Sequence, residues 1–304
     1  MFESVWQDVK YKVQMGNMVT RLVMANVAVY LIVNIVWAMI TGFSGDPVAG
    51  KATYGAFLKW ISLSSDSVYT LTHIWVVITH MFVHEEFFHI LFNMLFLYWF
   101  GNILGDMIGD KKILPLYLLG GLLGALVYIV AAQFMALGSI AMGASAAGLA
   151  IVVASAMVAP EYNMRLLFIG DVKLKYIAAF VVVMDIFALA IGTKNTGGHI
   201  AHLGGALMGF LFISSLNRGK DLSEPVNNFF EKVRNFFKPK KLKVAYKNTS
   251  NRPTLNRNQR AHAVSDESIS DQDQLDAILD KIKLKGYDSL SSSEKKFLTD
   301  ASKK

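Results

Sequence analysis

His84-Glu-Glu-Phe-Phe-His89-Ile-Leu-Phe-Asn93 opens an apolar run that continues to Leu104. Polar groups at the mouth of a membrane span are expensive, so they usually carry a function. His89 and Asn93 are four apart and lie on one face of a helix. The rest of the chain reads as positioning a nucleophile against that face.

The chain has 304 residues, of which 53% are hydrophobic, above the soluble average of about 45–50%. The excess lies before residue 217, and the remainder is polar and charged. This describes a membrane domain followed by a soluble tail. The net charge of +7 comes largely from that tail. Attraction to a membrane surface fits such a chain better than nucleic-acid binding, so no nucleic-acid partner is expected. With no cysteine, disulfides and Cys-ligated metals are excluded.

Six apolar runs follow one another: Met18–Ile40, Phe87–Leu104, Ile113–Met135, Ala144–Ala159, Tyr176–Ile191 and Ile200–Leu216. Hydrocarbon about 30 Å thick selects for such lengths. The class is therefore an all-α polytopic membrane protein, a six-helix bundle at 18–216 with the lipid bilayer as its surroundings. Residues 1–17 are mixed and polar, without the pattern of a cleaved signal peptide, and read as a cytoplasmic segment. Residues 41–83 form a long, partly apolar loop, with Trp75 as an interfacial anchor. Met135–Gly143 reads as irregular chain dipping into the membrane. Such backbone is tolerated only where protein shields it or water bathes it, which puts Ser145 below the surface.

Six spans leave both ends of the bundle on one side. Lys111, Lys112, Arg165, Lys173, Lys175, Arg218 and Lys220 fall in loops on that side, against Lys51, Lys59 and Lys194 on the other. Positive loops stay inside, so both termini are expected in the cytoplasm of a bacterial inner or plasma membrane. Beyond the bundle, Val226, Phe229, Phe230, Val233, Phe236 and Phe237 recur at helical spacing among basic residues. Residues 217–242 thus predict a basic amphipathic helix on the membrane surface. Residues 243–270 have linker composition, and 271–304 predict a small helical hairpin with a capping box at Ser291–Glu294.

His73, His80, His84 and His89 raise the question of metal. A zinc protease helix needs His-Glu-x-x-His, because four residues return both ligands to one face. His84 and His89 are five apart, which turns the second roughly 140° away. His80 and His84 have the spacing but no Glu between them. Neither metal nor cofactor is expected.

Gly143-Ala-Ser145-Ala-Ala-Gly148 is small throughout, and alone it reads as helix packing. The sixth run carries His202, with Gly198, Gly205 and Gly209 on or near its face. That face can pack tightly on a partner helix. If the partner is the start of the fourth run, His202 lies beside Ser145. A serine beside a histidine is a nucleophile with its general base. His89, Asn93 and the Ser145 backbone N–H can serve as oxyanion donors. This set is sufficient for acyl transfer without a third acid. Asp185, the clearest charge within the spans, reads either as a satisfied polar residue or as a relay.

His89-Ile-Leu-Phe-Asn93, Gly143-Ala-Ser145-Ala146 and Ala201-His202-Leu-Gly-Gly205 together resemble the motifs of the rhomboid family of intramembrane serine proteases. The resemblance covers 18–216. It implies Ser145 as nucleophile, His202 as base, and Ser145 N–H, His89 and Asn93 as oxyanion groups. It places His84, Gly143, Ala146 and Gly205 near the site. Ala146 stands where the family often has glycine, and Trp75-Val76 where it often has Trp-Arg. The expected activity is endoproteolysis of transmembrane substrates within or near their membrane segment. The alternatives are an inactive rhomboid-like protein that binds transmembrane clients, and a six-span transporter. Inactive relatives lack the serine or the histidine, and a transporter would carry more charge within its spans.

Overall fold

The computed structural model describes residues 16–166, 169–193, 195–237 and 271–301. The chain divides into two compact units, Met1–Pro239 and Lys240–Lys304. Most of the N-terminal segment, Lys194, and the linker at 243–270 lie outside the described residues.

The first unit is an all-α bundle. Helix α1 is Met18–Phe43, started by Asn17, whose side chain accepts from the Thr20 N–H at 2.9 Å. Helix α5 is Phe87–Ile108 and ends where Gly109 takes a φ of 94°. Helices α6 (Ile113–Ala131), α7 (Ser145–Val158), α8 (Leu174–Ala190) and α9 (Thr196–Asn217) complete the apolar set. Among the described residues, four helices are long and apolar enough to cross a membrane: α1, α5, the α6 region from Asp110, and α9. Helix α7 is shorter: its 14 residues span only about 21 Å at 1.5 Å per residue. It is also the most enclosed helix, with almost all of Ala146–Ala156 buried.

The first unit packs around α7. Helix α9 makes its most extensive contacts with α6 and α7. A Cβ on Gly205 would run into the Ala146 carbonyl oxygen, and one on Gly209 into that of Ala150. These two glycines let the α9 backbone lie directly on α7. Gly120 and Gly124 of α6 do the same against Ala150 and Ala146, where an added Cβ would fall 2.5 and 2.7 Å from the alanine methyls. Gly198 lines the same cavity as His202 but does not join this helix packing: its open side meets the Asn195 side chain. Ser155 of α7 donates to the Phe100 carbonyl of α5 at 3.0 Å, pinning the helix on its other side.

The long loop after α1 is folded. It holds α2 (Pro47–Ile61), capped by Asp46, then strand β1 (Leu63–Ser64), α3 (Ser67–Thr72) and α4 (Val76–Thr79). Trp75 is half exposed and donates from its indole to the Trp60 carbonyl at 2.8 Å, so it is tied to α2. Met81 is fully buried against Gly121, and the Tyr117 hydroxyl donates to its carbonyl at 2.8 Å. The stretch before Ser145 is less irregular than the sequence implies. Strand β2 (Ile140–Ala141) pairs antiparallel with β1, Leu63 opposite Ala141. The Tyr128 hydroxyl donates to the Gly138 carbonyl at 2.5 Å. Between α7 and α8 a hairpin forms from β3 (Asn163–Leu166) and β4 (Gly170–Lys173).

One end of the bundle is fixed by polar contacts. The Met18 N–H donates to Asp110 at 2.7 Å, and Lys112 pairs with Asp221 at 3.2 Å. Helix α10 (Ser223–Phe237) is docked there by Asn227 on the Lys111 carbonyl, while Phe229, Phe230, Phe236 and Phe237 remain exposed.

In the second unit, α11 (Asp271–Lys285) and α12 (Ser292–Ala301) flank a turn of 3-10 helix at Tyr287–Ser289. The expected capping box forms: Glu294 accepts from the Ser291 N–H at 2.7 Å, and Ser291 Oγ accepts from the Glu294 N–H at 3.4 Å. Lys281 also bonds Glu294, tying the two helices together.

Candidate active site

The Gly205–Ala146 contact sets the site. It brings the first turn of α7 against α9 one turn after His202. A cavity of about 730 Å³ opens there, and His89, Asn93, Gly143, Ser145, Ala146 and His202 all line it. Three helices and one loop thus contribute to a single wall. Ser145 and His202 are half-buried, between enclosed backbone and the cavity.

Ser145 is the first residue of α7, so its N–H has no intrahelical acceptor. The turn before it is held from several directions. Gly143 has a φ of 120°, and a Cβ there would sit 2.7 Å from Cε1 and 2.8 Å from Nε2 of His89. Glycine lets the turn rest directly on the His89 ring. The Gly143 N–H donates to the His80 carbonyl at 2.8 Å. The Ala144 N–H donates to His84 Nε2 at 3.2 Å, while His84 Nδ1 lies 3.2 Å from the Phe82 carbonyl. Nε2 as acceptor puts the His84 proton on Nδ1. Burial and the neighbouring His89 hold the His84 pKa down to about 4, which keeps that acceptor free. His84 therefore acts on the serine turn rather than lining the cavity.

On α5, Asn93 Nδ2 donates one bond to the His89 carbonyl at 2.9 Å. That bond fixes the amide and leaves its second N–H for another acceptor. Gly205 packs behind the site, outside the lining. The structure brings every sequence-selected residue to this place, either on the wall or directly behind it.

Two participants escape the sequence reading. His80 lines the cavity and supplies a carbonyl to the serine turn. Its position in the histidine-rich stretch points to metal rather than to this role. Asp185 of α8 is 5% exposed, and its Oδ1 lies 2.9 Å from His202 Nδ1 and 2.6 Å from His199 Nδ1. The set thus has an acid beside the histidine, contrary to the expectation of none. The open choice for Asp185 in the sequence is the only signal of it.

A polytopic helical membrane protein with a serine, a histidine and amide donors around one cavity is the class that fold and site define. Residues 71–218 match the rhomboid domain, a stretch that contains all four site side chains, and residues 262–304 match a family of unknown function, DUF6576. Similar curated proteins include RHOMBOID-like protein 12, mitochondrial, of Arabidopsis thaliana, 30% identical over 158 residues covering 47% of each chain. Presenilin-associated rhomboid-like protein A, mitochondrial, of Danio rerio is 29% identical over 161 residues, 51% of this chain and 41% of that one. Presenilin-associated rhomboid-like protein, mitochondrial, of Homo sapiens is 27% identical over 135 residues, 44% and 35% of the two chains. Residues 71–218 thus carry a rhomboid domain, and the chain spans less than half the length of the curated relatives it matches.

Proposed function

We propose that this protein is an intramembrane serine endopeptidase that cleaves transmembrane substrates within or near their membrane segment. The observation that carries this reading is that Ser145 and His202 line one cavity together with His89 and Asn93. His202 takes the Ser145 hydroxyl proton as Oγ attacks the scissile carbonyl. The oxyanion accepts from the Ser145 N–H, His89 and Asn93. His202 then protonates the leaving amine, and water releases the acyl group by the same route in reverse. The substrate helix must unwind first, because its carbonyls are otherwise engaged.

In this reading the protease domain is 18–216, followed by the surface helix Ser223–Phe237 and the helical hairpin of Asp271–Ala301. The contacts joining Met18, Asp110, Lys112 and Asp221 support one common end for the starts of α1 and α10 and the turn before α6. The excess of loop lysine and arginine falls at that end, which favours the cytoplasmic side of a bacterial inner or plasma membrane. Reporter fusions at residue 50 and after residue 237 should then report opposite sides, and one side for both would refute the orientation.

The activity is tested by treating intact membranes with a serine-directed phosphonate. Wild type should label and Ser145→Ala should not. Well-inserted protein with no label on Ser145 would favour a client-binding protein instead.

A further inference from the structure

Asp185 is the buried charge that the proposed dyad leaves unexplained. An ionisable group in the middle of a membrane helix is costly, so its place is not neutral. It lies on α8, while His199 and His202 are three apart on α9 and share a face. One carboxylate oxygen, Oδ1, meets both Nδ1 atoms, at 2.6 and 2.9 Å. Oδ2 is buried and has no hydrogen-bond partner among the described residues.

The three groups could in principle gather around a metal ion. Two ligand atoms bound to a tetrahedral zinc at about 2.0–2.1 Å would stand roughly 3.3 Å apart. The observed separations are shorter and match direct hydrogen bonds. An ionised carboxylate only accepts, so each ring must carry its proton on Nδ1.

We propose that Asp185 is a positioning residue of this site: it holds His202 with the proton on Nδ1, leaving the Nε2 lone pair for the Ser145 hydroxyl. The proposal rests on the serine-protease reading and adds a third member to its dyad. When Nε2 takes the serine proton, the imidazolium charge forms beside a fixed carboxylate. In a low-dielectric interior that attraction is strong. No bond to Asp185 is made or broken, and its carboxylate stays ionised throughout. His199 is the second donor on the same oxygen and steadies the carboxylate rather than the base.

The test combines kinetics with 15N-histidine spectra of the full-length chain in bilayers, His202 being assigned by the signal lost in His202→Gln. Wild type should show His202 protonated on Nδ1 and bare on Nε2. Asp185→Asn keeps the shape and removes the charge. It should lower kcat by about 10- to 100-fold, with KM within about twofold, and bring up an Nε2–H form of His202. His199→Gln should keep kcat within about threefold, because His202 retains the carboxylate. If the trio only ties α8 to α9, both variants lose activity alike and the His202 signals do not move, which overturns the proposal. Wild-type kcat in Asp185→Asn overturns it too. Should Asp185→Asn fail to insert, the wild-type spectrum decides alone, an Nε2–H His202 being the refuting result. The two readings separate cleanly. Nδ1–H on His202 without any Ser145-dependent cleavage rejects the protease and keeps the positioning. Cleavage with Nε2–H on His202 does the opposite.

Discussion

Ser145→Ala, His202→Ala and the double variant are expected to cleave a transmembrane substrate at one common residual rate, at least about 10²-fold below wild type. The two residues line the same cavity from different helices, α7 and α9. The serine is a weak nucleophile without its base, and the base has nothing to deprotonate without the serine. Losses within such a unit do not add. All three variants should insert normally, because neither side chain belongs to the apolar core that holds α7 and α9 together. Insertion is checked by protease protection, and rates by cleavage of one reconstituted substrate. A double variant much slower than either single one would mean that the residues act separately. Wild-type cleavage by Ser145→Ala would remove the serine from the mechanism.

Asn93→Ala should slow cleavage by about 10²- to 10³-fold, the usual cost of one oxyanion donor. Asn93 lines the cavity, and its amide is already fixed by the bond from Nδ2 to the His89 carbonyl. The fold has little to lose, because that bond runs within α5. Met94 is the matched control. It is 8% exposed and packs in the main core, one residue off the cavity face. Met94→Leu conserves volume and should cost less than about 1.5 kcal/mol of stability, with kcat near wild type. The measurement is kcat for both variants beside a thermal unfolding midpoint. Equal losses in kcat would show that α5 presents a different face to the substrate.

Much of this was legible because the membrane is a demanding solvent. Backbone polar groups must be satisfied internally, so long apolar runs become helices and little else. That is why the runs at Met18, Phe87, Ile113, Ala144, Tyr176 and Ile200 correspond to helices, with ends shifted by a few residues. The glycines at 205 and 209 carry the next step, since a face without side chains has few uses except close packing. Four-residue spacing places His89 and Asn93 on one helix face whatever the tertiary arrangement.

Other features depended on contacts that no local pattern encodes. The long first loop has the composition of an interfacial segment, yet it is folded. Met81 finds its notch at Gly121, and two residues of β1 pair with two of β2 across more than 70 positions. Runs that short carry no periodicity to read. Asp185 is the sharpest case. Composition determined that a charge lies inside the fifth apolar run, and the cost of burying it demanded a partner. Which partner it met depended on the rotation of α8 against α9, and only tertiary packing sets that angle. The bundle turns the carboxylate onto His199 and His202, because those rings can satisfy it where lipid cannot.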